Sequence, residues 1–147
     1  MRKHTCKTYF MVRFDFDRKK NIESIRNHKP CSPEGLGIFN KDLVEQYIIE
    51  NFGVTPQWKR HHFILSYNDN YDVDVNHMLR SVCKNLFGKE DKIKEMQEKF
   101  SVTTTLEIVP YIVSDSDEPK QILSLDRDII DFLSLSNTTM DLDYYII

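Results

Sequence analysis

The hydrophobic period changes once within the last 26 residues, and that change restricts the fold more than any other feature of the chain. Leu125, Ile129, Ile130 and Leu133 recur at helical spacing, after which Met140, Leu142, Tyr144 and Ile146 alternate with Asp141, Asp143, Tyr145 and Ile147. The pattern predicts one amphipathic helix and then one strand between Ile122 and Ile147. A strand without a hairpin partner beside it has no stability by itself, so it must pair within a sheet built from distant parts of the chain.

Other strands are visible as further period-2 runs. Cys6, Thr8, Phe10, Val12, Phe14 and Phe16 share one face, with Lys7, Tyr9, Met11, Arg13, Asp15 and Asp17 on the other. A second strand is expected from about His61 to Tyr67. A third runs through Val102, Thr104, Leu106, Ile108 and Ile112, where Pro110, which cannot donate to a ladder, points to an edge or a bulge. Between them, Ile22 and Ile25 mark a short helix. Asn40 caps another that runs to about Asn51, with Leu43, Val44, Tyr47 and Ile48 inward and Gly53 as a left-handed cap. Val75, Met78, Leu79, Val82 and Leu86 mark a longer helix, capped by Asp72 or Asp74 and closed by Gly88. Ile93 and Met96 continue a further segment to about Phe100. The prolines and glycines of Lys29 to Gly37 are loop chemistry. This order gives an α+β fold, a single-domain two-layer sandwich with a mixed sheet of about four to five strands and helices on one face. The clean alternation of the first and last strands leaves part of the other face to solvent or a partner.

At 147 residues the chain suits one domain, residues 1–147. No window approaches the run of about 18 apolar residues that a membrane helix needs. The basic start, Met1 to Thr5, leads into a charged strand rather than a signal-peptide core, so a cytoplasmic location is expected. Cys6, Cys31 and Cys83 are odd in number and widely spaced, which fits reduced thiols rather than a disulfide or zinc framework. The net charge of −3 hides a polarity: residues 1–30 carry +6, residues 31–100 carry −2 and residues 101–147 carry −7. Such an imbalance sets up a field able to select a partner.

A family resemblance rests on an ordered set of segments. These are Met78-Leu79; Lys89-Glu90-Asp91-Lys92-Ile93 ahead of Phe100-Ser101-Val102; Leu106-Glu107-Ile108-Val109; Leu123-Ser124-Leu125-Asp126; and Met140-Asp141-Leu142-Asp143-Tyr144-Tyr145. Together they make Asp74 to Ile147 resemble the bacterial family catalogued as domain of unknown function 4279. The first strand and the Ile22-Glu23-Ser24-Ile25 helix fit more loosely, and a helical insertion at about 39–57 reads as an addition to the family pattern. The resemblance implies a compact α+β domain of bacterial or mobile-element origin and brings no reaction with it.

The residues themselves assemble no recognisable reaction chemistry. His61 and His62 are neighbours in a strand and point to opposite faces, so at most one serves a given site. Asp74 and His77 lie one helical turn apart without a second carboxylate at matched spacing. Cys31, with His28 three residues earlier, sits in the proline-rich loop, while Cys6 and Cys83 fall on core faces. The turn around Asp69 and Asp72 lacks the glycine and distal glutamate of a calcium loop. With four glycines the chain has no phosphate cradle. Arg2, Lys3, Lys7, Arg18, Lys19 and Lys20 form a basic counterpart, but a pI near 5.9 argues against dedicated nucleic-acid binding.

The expectation is a non-enzymatic protein–protein interaction domain without cofactor or metal. Its most concrete form is an immunity- or antitoxin-like protein that neutralises a basic toxin or nuclease. Candidate partner-binding residues are Asp115, Asp117, Glu118, Asp128, Asp131, Asp141, Asp143 and Tyr145. The alternative is a small-ligand or phage-encoded inhibitory module rimmed by Pro30 to Gly37 and Trp58 to His62. A hydrolase built on Cys31 or on His61, His62 and His77 stands behind both.

Overall fold

The computed structural model describes residues 3–14 and 41–147. The helix expected at Ile22 and Ile25, the Lys29 to Gly37 loop with Cys31, and the Asn40 cap lie outside the described residues. The elements in order are β1 (Thr5–Phe14), α1 (Lys41–Phe52), β2 (Gln57–Trp58), β3 (His62–Asn68), α2 (Val75–Cys83), α3 (Glu90–Phe100), β4 (Val102–Ile112), α4 (Arg127–Leu135), β5 (Thr139–Leu142) and β6 (Tyr145–Ile146). The strands form one mixed sheet in the order β2-β3-β1-β4-β5, with β6 continuing beside β4. Pairing is antiparallel from β2 to β4 and parallel from β4 to β5 and β6. No described helix is long and apolar enough to cross a membrane.

The period-2 pattern of β1 sends Cys6, Phe10, Val12 and Phe14 to one face, where all four described helices bury their apolar stripes in a single cluster. Val44, Tyr47, Ile48 and Phe52 come from α1, Met78, Leu79 and Val82 from α2, Ile93 and Met96 from α3, and Ile129 and Phe132 from α4. Burying side chains of this size stabilises the fold by about 1.5–3 kcal/mol each, before chain entropy is counted against it. The Asp74 carboxylate caps α2 by accepting from the Asn76 N–H at 2.9 Å. Gly53 closes α1 at φ +67° and Gly88 ends the turn after α2 at φ +83°, both conformations a side chain disfavours. Leu43, expected inward, is 57% exposed on α1.

Four local expectations are corrected. Residues Ile122 to Asp126 are not helical. The Ile122 N–H donates to Val73 O at 3.1 Å, and the buried Asn76 side chain donates to Ser124 O at 2.7 Å while accepting from the Asp126 N–H at 2.8 Å. These bonds hold the segment extended along the start of α2, so the helix begins only at Arg127. Ile130 is then exposed rather than inward. Pro110 lies not at an edge but in β4, which has β1 on one side and β5 with β6 on the other. Its fit there also explains why the last strand is broken in two. The Asp143 N–H donates to Ile108 O and the Ile147 N–H to Ile112 O, each at 2.9 Å, so the even-numbered residues of β4 turn their backbone groups toward this neighbour. Pro110 is one of them and has no N–H for the Asp143 carbonyl, and the ladder lapses between β5 and β6.

Candidate functional site: the second face of the sheet

The face opposite the helices is laid out by register. Tyr67, Tyr9, Glu107 and Asp141 stand side by side across β3, β1, β4 and β5. In the next row Lys7 opposes Val109, and beyond it Tyr111 opposes Tyr145. In the other direction Met11 lies between Ile64 and Thr105, and Arg13 between His62 and Thr103. The result is polar at both sides and aromatic between: Arg13 and His62 stand toward β3, and Glu107, Asp141 and Asp143 toward β5. Lys7, Tyr9, Gln57, Lys59, His62, Tyr67, Tyr111, Asp143 and Tyr145 surround a hollow of about 670 Å³ floored by Ile64 and Val109.

The tyrosines are ordered by their neighbours. Tyr111 and Tyr145 stack with ring centres 5.1 Å apart and planes 13° from parallel, and the Tyr9 and Tyr67 rings stack at 6.3 Å. The Lys7 ammonium sits 5.7 Å from the centre of the Tyr111 ring, a cation–π distance. The Tyr145 hydroxyl donates to Asp143 Oδ2 at 3.0 Å, which raises the pKa of the phenol because its ionised form would lose that bond beside a carboxylate. Burial, followed by the nearby Glu107 charge, raises Tyr9 as well. Burial lowers His62, reinforced by Arg13, Lys59 and His61, which favours a neutral imidazole.

Glu107 is the most perturbed acid on this face. It is buried, and its carboxyl is pushed up to about 7, first by loss of water and then by Asp141, which repels its charge and hydrogen-bonds its protonated form; Arg13 offsets part of the rise. Near neutral pH the Glu107–Asp141 pair therefore carries less than two negative charges.

The eight residues expected to form one acidic patch separate into three groups. Asp141, Asp143 and Tyr145 lie exposed on the second face of the sheet. Asp128 and Asp131 are on α4, in the helical layer. There Arg80 of α2 donates two bonds to Asp128 and one of 2.6 Å to Asp126, which depresses the Asp128 pKa and neutralises much of that charge. Asp115, Asp117 and Glu118 follow β4. Glu118 accepts from the His4 backbone N–H at 3.0 Å, and its carbonyl lies 3.1 Å from His4 Nε2, while His4 Nδ1 accepts from the Val113 N–H at 2.9 Å. This fixes Glu118 as a clasp on the start of β1.

The other candidates are placed as well. His77 Nδ1 lies 3.1 Å from Asp72, and Nε2 lies 3.7 Å from Asp74, forming a small network at the start of α2. Among the described residues no three His, Cys, Asp or Glu side chains are grouped to hold a metal ion. Cys6 and Cys83 are buried, and burial raises both thiols, Cys83 to about 12. Sequence reasoning missed Glu107 and Tyr111 as the cross-strand neighbours of Asp141 and Tyr145. The signal was the outward half of each alternating strand, but only cross-strand register joins those halves.

The fold and this face define a two-layer α+β domain with helices on one side of a mixed sheet and a tyrosine-rich, charged surface on the other. The family described as Domain of unknown function (DUF4279) matches residues 41–147, and the chain belongs to it. The matched span includes α1, in the region read as an insertion. No curated protein and no solved structure matches the chain.

Proposed function

We propose that the protein is a non-enzymatic recognition domain that binds a basic protein through the β4–β5 side of its second sheet face. The observation that supports this reading is the exposure of Asp141, Asp143 and Tyr145 together on that face, beside Tyr111 and Glu107. Paired tyrosines provide rigid amphipathic contact area, and the carboxylates steer and orient a partner of opposite charge. An immunity- or antitoxin-like role, in which the face occludes a basic toxin such as a nuclease, is the form that best suits the acidic C-terminal third. The −7 imbalance there is only partly available, since Asp128 is paired with Arg80 and Glu118 is engaged by His4.

The test is capture from the native host with the wild-type chain and with the double variant Asp141→Lys, Asp143→Lys, followed by association kinetics of the captured partner. Charge reversal is expected to slow association at least about tenfold at low salt and to remove its salt dependence. An unchanged rate discards this surface. A small-ligand reading has one observation of its own, the hollow of about 670 Å³, which falls within the usual size of ligand sites. Tight binding of a host metabolite, with Lys7→Ala and Tyr9→Ala abolishing it, would move the assignment there.

A further inference from the structure

We propose that the outer edge of β5 and β6 receives an extended segment of the partner, basic at alternate positions, which joins the sheet as an additional strand. The inference rests on the partner-binding reading above and specifies how the partner is held. Among the described residues, β5 and β6 pair with β4 alone. Asp143 and Ile147 direct their N–H groups inward to β4, so by strand alternation Met140, Leu142, Tyr144 and Ile146 direct their backbone N–H and C=O groups outward. That row of donors and acceptors is a template for one more strand.

Side chains on this edge define what such a strand must carry. An added strand sets alternate residues next to Asp141 and Asp143 on the second face, where Lys or Arg forms favourable cross-strand pairs. The intervening residues continue the row of Met140 and Leu142, which pack against the helical core, and are therefore apolar. Tyr144 and Ile146, 48% and 74% exposed, extend the apolar row past the break opposite Pro110. Edge strands are commonly protected by Lys, yet Thr139 to Ile147 contains two Asp and no Lys or Arg. The same charges disfavour a second copy as occupant, because edge-to-edge pairing would set the carboxylates of one chain beside those of the other.

The experiment uses the whole ¹⁵N-labelled protein and a capped peptide of about eight alternating Lys and Val residues, a length matching a typical strand. Controls are the Glu–Val counterpart and a Lys–Val peptide N-methylated at every residue, which leaves no donor on either edge. Saturable, salt-weakened binding of the Lys–Val peptide is expected, with amide exchange at Met140, Leu142 and Tyr144 slowed about tenfold. Neither control should bind. Tyr144→Pro removes an outward donor from a non-ladder position, and it should weaken the peptide about tenfold while leaving the melting temperature within a few degrees of wild type. No saturable binding, or binding without protection of those three amides, overturns the proposal. So does protection already present in the free protein that rises with its concentration, since a second copy would then hold the edge. A host partner lost on charge reversal at Asp141 and Asp143 but retained by Tyr144→Pro would leave partner recognition standing and remove strand addition.

Discussion

Replacing Glu107 by glutamine probes the shared proton on the second face of the sheet. The glutamate has an ordinary value of 4.5 and is raised to about 7 in the fold, mainly by burial and then by Asp141. Because the folded chain holds this proton more tightly than the unfolded one, stability is greatest below the ordinary value. It falls as pH rises from about 4.5 to about 7, then levels off. A rise of that size corresponds to about 3 kcal/mol at full strength. Water reaches this face and screens the interaction, so a loss of about 1–2 kcal/mol is the realistic expectation. Glutamine is neutral throughout and retains a donor for Asp141. The stability of Glu107→Gln relative to wild type should therefore increase by about 1–2 kcal/mol between pH 4.5 and pH 8. Urea unfolding at several pH values, followed by fluorescence of Trp58, the single tryptophan, measures the difference directly. A difference independent of pH, or one that moves against the variant as pH rises, would refute the shared-proton account.

Two further outcomes follow from buried groups. Asn76→Ala should cost about 1–3 kcal/mol in urea unfolding, because it leaves the Ser124 carbonyl and the Asp126 N–H without their partner and frees the segment ahead of α4. Cys6 and Cys83 should resist a thiol reagent at pH 8 in the native protein and react rapidly in denaturant, as mapped by mass spectrometry; fast native labelling of either would contradict their burial.

The layered α+β architecture was legible because it depends on period, and period is a property of short windows. The alternation of Cys6 to Phe14 and the helical spacing of Val75, Met78, Leu79 and Val82 both reappear as buried stripes. Long-range bonds override local pattern, however, and these were not legible. Leu125 fits a helical stripe, but Asn76, some fifty residues away in sequence, holds its neighbours extended. Pro110 argues locally for an edge, yet it sits inside the sheet because its neighbouring strand breaks where the missing donor would be needed. The candidate site followed the same rule. Asp141, Asp143 and Tyr145 were found from one strand, whereas Asp128 and Glu118 were drawn into the same list by charge alone. Their partners, Arg80 and His4, are identified only once helices and strands are packed.

The β1–β4 ladder joins residues roughly 90 to 105 positions apart, from Phe14 with Val102 to Thr5 with Tyr111. Closing a loop of that length opposes the first contact by about 4 kcal/mol of chain entropy, and nothing nearby in sequence compensates until many pairs zip together. Folding should accordingly be slow for a chain of this size, on the millisecond-to-second scale of topologies rich in distant contacts.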